Sequence, residues 1–162
     1  MVQIGITGEN ATHISIKNGN GRRVVYSISC TLILGRIGRE NADSTFDLGE
    51  QLRQEEFVKN SSRLVPLFRK FIFEHFRAIE LENLSRDQLN VLYNFKDEMM
   101  GFANDILVKY NMKPRIKDVL INSFVVSDKV THEQAEEEYA NILKACNKIP
   151  TPPEHKERKR GT

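Results

Sequence analysis

The sequence predicts a mixed α/β domain in which a β-hairpin and a central strand pack with three to four helices. Three features of the pattern lead there. Apolar residues recur at every second position in the first third of the chain, which places them on one face of a strand. After Gly38 the spacing lengthens to about 3.6, the period of a helix buried along one side. A dense apolar run returns at 116–126 before one last helical segment.

Ile4 and Ile6 alternate weakly, then Ile14 and Ile16, and then Val24, Tyr26, Ile28, Cys30, Leu32 and Leu34 over a long stretch. Between the last two runs lies Asn18-Gly19-Asn20-Gly21, whose residues tolerate the positive φ of a tight turn, so 13–17 and 22–34 read as a hairpin. Leu48, Leu52, Phe57 and Val58 mark a helix beginning near Asp47. Leu64, Leu67, Phe68, Phe71, Ile72, Phe76 and Ile79 form the broad apolar face of a second helix, with Ser61 or Ser62 as its cap. Pro66 then sits in the first turn, or marks a kink if 47–79 run on as one bent helix.

Ser85-Arg86-Asp87-Gln88 has the pattern of a capping box, opening a third helix through Leu89, Leu92, Phe95, Met99, Ala103, Ile106, Leu107 and Tyr110. Pro114 ends it near Asn111. Residues 116–126 carry apolar side chains on both parities, which predicts a strand covered on both faces near the centre of the sheet. Thr131 and Gln134 form another capping box, and Ala135, Tyr139, Ile142, Leu143 and Cys146 line one side of the helix that follows over 131–147.

With 162 residues, 40% of them apolar and 28% charged, the chain suits one folded unit, read here as 1–147. Residues 148–162 read as an unfolded basic tail of net charge +3, which leaves −1 for the rest. That balance excludes a general basic face for nucleic acid. Only Lys156, Arg158, Lys159 and Arg160 are candidates for contacting nucleic acid or an anionic membrane surface. No run approaches the roughly 18 apolar residues of a membrane helix, and Met1-Val2-Gln3-Ile4-Gly5 has no signal-peptide character, so the chain as it stands reads as soluble.

Candidate chemistry is sparse. His13, His75, His132 and His155 show no recurring ligand spacing; His132 and Glu136 share a helix face, but two ligands do not make a metal site. Cys30 shares its parity with apolar residues, which raises a thiol pKa, so it reads as a buried structural cysteine, as does Cys146. Gly19-Asn20-Gly21-Arg22-Arg23-Val24 lacks the third Gly and the following helix of a dinucleotide site. Gly35-Arg36-Ile37-Gly38-Arg39 lacks the ending of a P-loop, so both segments read as turns. Glu136-Glu137-Glu138 reads as solvated helix surface. The sequons at Asn10, Asn60 and Asn83 matter only in a eukaryotic secretory setting. No catalytic residue, cofactor, metal site or small-molecule substrate is expected.

Over residues 22–127 the chain resembles the FliL family of flagellar basal-body-associated proteins. Arg22-Arg23-Val24-Val25-Tyr26-Ser27-Ile28-Ser29-Cys30 is similar to the family's "R-Y-L/V" strand. Pro66-Leu67-Phe68-Arg69-Lys70-Phe71-Ile72 stands where the family has a "P-x-I-R-D-x-I-I" helix. Leu89 through Asn104 to Val119-Leu120-Ile121-Asn122-Ser123-Phe124-Val125-Val126 looks like the family's last helix and strand. Ser127 replaces the family's usual Gln, and 128–162 have no counterpart in the common pattern. The resemblance implies a stomatin/prohibitin-like fold and a non-enzymatic motility protein that forms rings around the motor's stator units. It implies a periplasmic domain anchored to the inner membrane by an N-terminal helix outside this chain, whose homo-oligomers are weak without that anchor. The residues alone leave open a soluble cytoplasmic adaptor acting through the basic tail.

Overall fold

A computed structural model describes residues 3–35 and 48–152, with the side chains of 48–54 set aside. The Gly35-to-Arg39 turn beyond Gly35, the helix start at Asp47 and the tail residues Lys156, Arg158, Lys159 and Arg160 lie outside the described residues. Strands β1 (Gln3–Ile6), β2 (Thr12–Lys17), β3 (Arg23–Leu34) and β4 (Ile116–Val126) form one antiparallel sheet. Helices α1 (Leu48–Ser61), α2 (Val65–Arg77), α3 (Leu81–Arg86), α4 (Gln88–Lys109) and α5 (His132–Asn147) pack with it, so the fold is the mixed α/β class that the two periods predict.

Strand β3 is the spine. Its residues 26–34 pair with β4, while 23–28 pair with β2 and 30–33 pair with β1. Because β4 already occupies one edge along those residues, β1 and β2 share the other edge, end to end. They are one strand interrupted at 7–11, where a 3₁₀ turn at Gly8–Asn10 loops out between the pairs Ile6↔Cys30 and Thr12↔Ile28. Gly8 supplies the positive φ of +58° that opens this excursion. The expected hairpin closes at Asn18, whose Oδ1 accepts from the N–H groups of Asn20 and Arg22, with Gly21 at φ +83°.

The central position belongs to β3, and the expectation for 116–126 is corrected: β4 is an edge strand. Two bulges explain its misleading pattern. Register shifts at Ser29/Cys30 and Ile33/Leu34 leave Asn122 and Lys117 without direct partners. Each bulge reverses the alternation, so Ile116, Val119, Ile121, Phe124 and Val126 share the face of Leu34, Leu32, Cys30, Ile28 and Tyr26, although their numbers mix both parities. Leu120 and Val125 lie on the opposite face and are exposed.

Helix α2 supplies the core's aromatic layer. Leu64, Phe68, Ile72 and Phe76 are buried as expected, but Phe73 is buried too. Leu67, Phe71 and Ile79 are only half-buried, Phe71 stacking on Phe102 at 4.5 Å. Neither Ser61 nor Ser62 caps α2. A 3₁₀ turn at Ser62–Leu64 carries α1 straight into it, so the hydroxyls donate back to the carbonyls of Val58 and Lys59. Pro66 sits in the first turn, after the bend. Ser85 does not open α4 either; it lies inside α3, and the break falls at Asp87 (φ −139°, ψ 47°), which is why Leu89 is 74% exposed rather than core.

Helix α4 ends as expected. Asn111 at φ +59° lets the N–H groups of Asn111 and Met112 reach the carbonyls of Val108 and Leu107, a Schellman closure. Thr131 and Gln134 form the expected capping box on α5. Cys30 is fully buried, and burial pushes its thiol up to about 12. Cys146 is half-buried and donates to the Pro66 carbonyl. Ile149 packs against the core, and the Pro150 carbonyl accepts from the Tyr110 hydroxyl, so contacts extend one to two residues past the expected start of the tail at 148.

Phe68→Ala is expected to cost about 3–5 kcal/mol in urea denaturation, because a fully buried ring is removed from a close-packed layer. Phe71→Ala, at a ring that still sees water, should cost less than half as much. Equal losses would place Phe71 back in the core.

Candidate functional site

A polar cavity of about 640 Å³ opens where the β1–β2 interruption meets α2 and α5, bounded by Glu9, His13, Arg69, Lys129, Glu137 and Glu138. Its chemistry is set by the exposed edge of β2. An edge strand carries unpaired N–H and C=O groups that must find partners. Glu138 Oε1 accepts from the His13 backbone N–H at 3.0 Å and from Arg69 Nη2 at 2.9 Å, while Arg69 Nη2 also donates to the Ala11 carbonyl at 3.0 Å. The second carboxylate oxygen lies 3.0 Å from His13 Nδ1. One carboxylate and one guanidinium thus stand in for the missing neighbouring strand.

Burial lowers the Arg69 pKa, and Glu138 opposes that shift through its charge and hydrogen bond. The guanidinium remains a cation because its ordinary value is far above neutrality. Arg69 Nε is buried without a partner among the described residues. Around this centre α5 makes two more ties: Glu136 pairs with Arg77 at 3.2 Å, and His132 Nδ1 lies 2.7 Å from Ser15 Oγ. Arg77 also lies over the Tyr139 ring at 4.3 Å.

The Glu136-Glu137-Glu138 run is therefore not simply solvated surface: Glu136 and Glu138 hold α5 to α2 and β2, and Glu137 is exposed. His132 and Glu136 engage Ser15 and Arg77, so the pair weighed as metal ligands is divided between two partners. His75 is packed among Phe71, Phe76 and Phe95. Among the described residues no group of three or more His, Cys, Asp or Glu is placed to hold a metal ion. The His13–Arg69–Glu138 cluster escaped the sequence reading because its members lie 56 to 125 positions apart; the only local hint was a histidine and an arginine placed on elements otherwise rich in apolar residues.

The other edge of the sheet is handled differently. Asn104 donates to the Ile116 carbonyl and accepts from the Ile116 N–H, and Asp118 accepts from the Val119 N–H. Lys96 reaches Asp118 at 3.9 Å. Beyond Val119 no side chain among the described residues caps the backbone of β4. Val125 and Val126 are 55% and 58% exposed there, and Leu89 and Tyr93 are exposed on the first turns of α4. The chain matches no family model and no curated protein.

Two outcomes test this geometry. Glu138→Ala should cost about 1–3 kcal/mol by leaving Arg69 and the His13 N–H without their acceptor, and should speed hydrogen exchange at the His13 amide. A change within about 0.5 kcal/mol would mean that water caps the edge as well. Burial holds the His75 pKa below its ordinary 6.5, so the unfolded chain binds that proton more readily. Stability should then be intact above pH 6.5 and fall as acid is added below it, and His75→Gln should flatten that slope in pH-dependent urea titrations.

Proposed function

We propose that the chain is a non-enzymatic scaffold of the bacterial flagellar motor, whose copies assemble into a ring around the stator units and stabilise them. The FliL-like pattern over 22–127 is one support. The observation that carries the reading is the apolar surface left uncovered on two elements, β4 with Leu120, Val125 and Val126, and α4 with Leu89 and Tyr93. Large apolar side chains left exposed on more than one element suit association, and a ring needs two different patches on each copy. The polar cavity, in contrast, spends Glu138 and Arg69 on holding a strand edge.

In this reading the domain faces the periplasm, held at the inner membrane by a helix N-terminal to the chain. Confinement to that plane raises the effective concentration and lets weak contacts close. Sedimentation velocity of the free chain should give mainly monomer when dilute. The same chain tethered by its N-terminus to liposomes should form species larger than a dimer, detected by chemical cross-linking on the vesicle. No such species on any tethered surface would overturn the ring. Salt-sensitive binding to anionic vesicles or nucleic acid that vanishes on removal of 150–162 would favour the adaptor instead.

A further inference from the structure

We infer that β4 is a self-pairing edge: two copies of this chain join their β4 strands antiparallel about a two-fold axis between Asn122 and Ser123. The inference goes beyond the ring reading above by naming a separate contact and its register.

The bulge at Asn122 makes this register work. A two-fold centred there sets Leu120 opposite Val125 of the second copy, Ile121 opposite Phe124, and Val119 opposite Val126. Antiparallel partners share a face, and each of these pairs already does: Leu120 and Val125 lie on the outer face, and Val119, Ile121, Phe124 and Val126 lie on the helix-covered one. Without a bulge, any register of odd sum would set outer residues against inner ones. The reversal of alternation at Asn122 makes the odd-sum register centred on it match face to face.

Charge is compatible with the same register. Val119 to Ser127 carry no charged residue, and each end carries both signs, Lys117 and Asp118 before the run and Asp128 and Lys129 after it; the register sets Lys117 and Asp128 together and leaves Asp118 opposite uncharged Ser127. Lys117 and Asp128 are both exposed, and neither has an ion-pair partner among the described residues. In the register set by the bulge, Lys117 of one copy stands opposite Asp128 of the other, and the two-fold repeats the pair. The capped positions Ile116 and Val119 lie at one end of the strand, and among the described residues no side chain caps the backbone from Leu120 to Val126. A contact of one short strand from each copy is much smaller than a standard interface, so the pair is weak and concentration-dependent.

A two-fold contact stops at two copies, so it is distinct from the head-to-tail contact of a ring. The experiment is charge exchange on the untethered chain, read by sedimentation velocity across concentration. Lys117→Glu and Asp128→Lys alone should each weaken dimerisation by about tenfold, because each reversal acts twice across the axis. Mixing the two single variants should restore it, since both pairs in the mixed dimer are again opposite in sign; a folding defect could not be repaired by mixing. In a Cys146→Ser background, Leu120→Cys with Val125→Cys should form covalent dimers on mild oxidation, whereas Leu120→Cys with Ser127→Cys, out of register by two, should not. Single reversals without effect, no recovery on mixing, or equal cross-linking in both registers would overturn the inference. A tethered ring with no charge-exchange effect would sink this contact alone, and a charge-sensitive dimer that tethering does not enlarge would sink the ring alone.

Discussion

The length of β3 governs the rest of the molecule. Twelve residues in one extended run expose backbone groups along both edges, and its side chains are buried on both faces toward its C-terminal half, where Thr31 and Ile33 are as hidden as Leu32 and Leu34. Every one of those backbone groups needs a partner. No single neighbour fits without adjustment. On one side the partner is broken into β1 and β2 by the excursion at 7–11; on the other, β4 takes up the mismatch with two bulges. The polar cavity exists because the excursion pushes Glu9 and Ala11 out of the ladder, and the β4 register exists because the bulges shift its faces.

Above this sheet the aromatic layer is anchored by α2. Phe76 packs tilted against Phe95 at 4.8 Å and Phe124 at 5.3 Å, tying α4 and β4 to the same helix. Tyr26 stacks on Phe124 at 4.8 Å, so the central strand, the edge strand and α2 meet in one cluster. Such offset and tilted contacts add to burial a modest geometric preference of about 0.5–1.5 kcal/mol each. They fix where β4 lies without using its outer edge, which is why that edge can remain free.

What the sequence made legible was local. The alternation from Val24 to Leu34, the Asn-Gly turn and the Thr131–Gln134 box each act within a few residues, and each stands where the pattern put it. Failures came where a neighbour distant in sequence decided the outcome. Ser61 and Ser62 had no free helix end to cap because α1 ran on, and Ser85 had been absorbed by a short helix that its apolar spacing did not announce. Phe73 hid one position off the stripe, in reach of Tyr139 on α5 at 5.1 Å. Of the candidate site, only the residue types are legible; Glu138 stands in an acidic run with the pattern of helix surface, and its partners arrive from β2 and α2.

The most informative misreading is that of β4. In a chain where 28% of residues are charged, two long stretches have none: 24–35, the central strand, and 119–127. For the first, missing charge means burial between neighbours on both edges. The second has the composition of a central strand and the position of an outer one. Natural sheet edges are guarded by charges, prolines or covering elements, and this sheet uses that device on its opposite edge, where Arg69 and Glu138 close β2. Among the described residues nothing guards β4 beyond Val119. A composition suited to a central strand fits an outer position only if a further strand lies beside it, and the bulge at Asn122 sets the faces of β4 so that the strand inferred above, β4 of another copy, would match it.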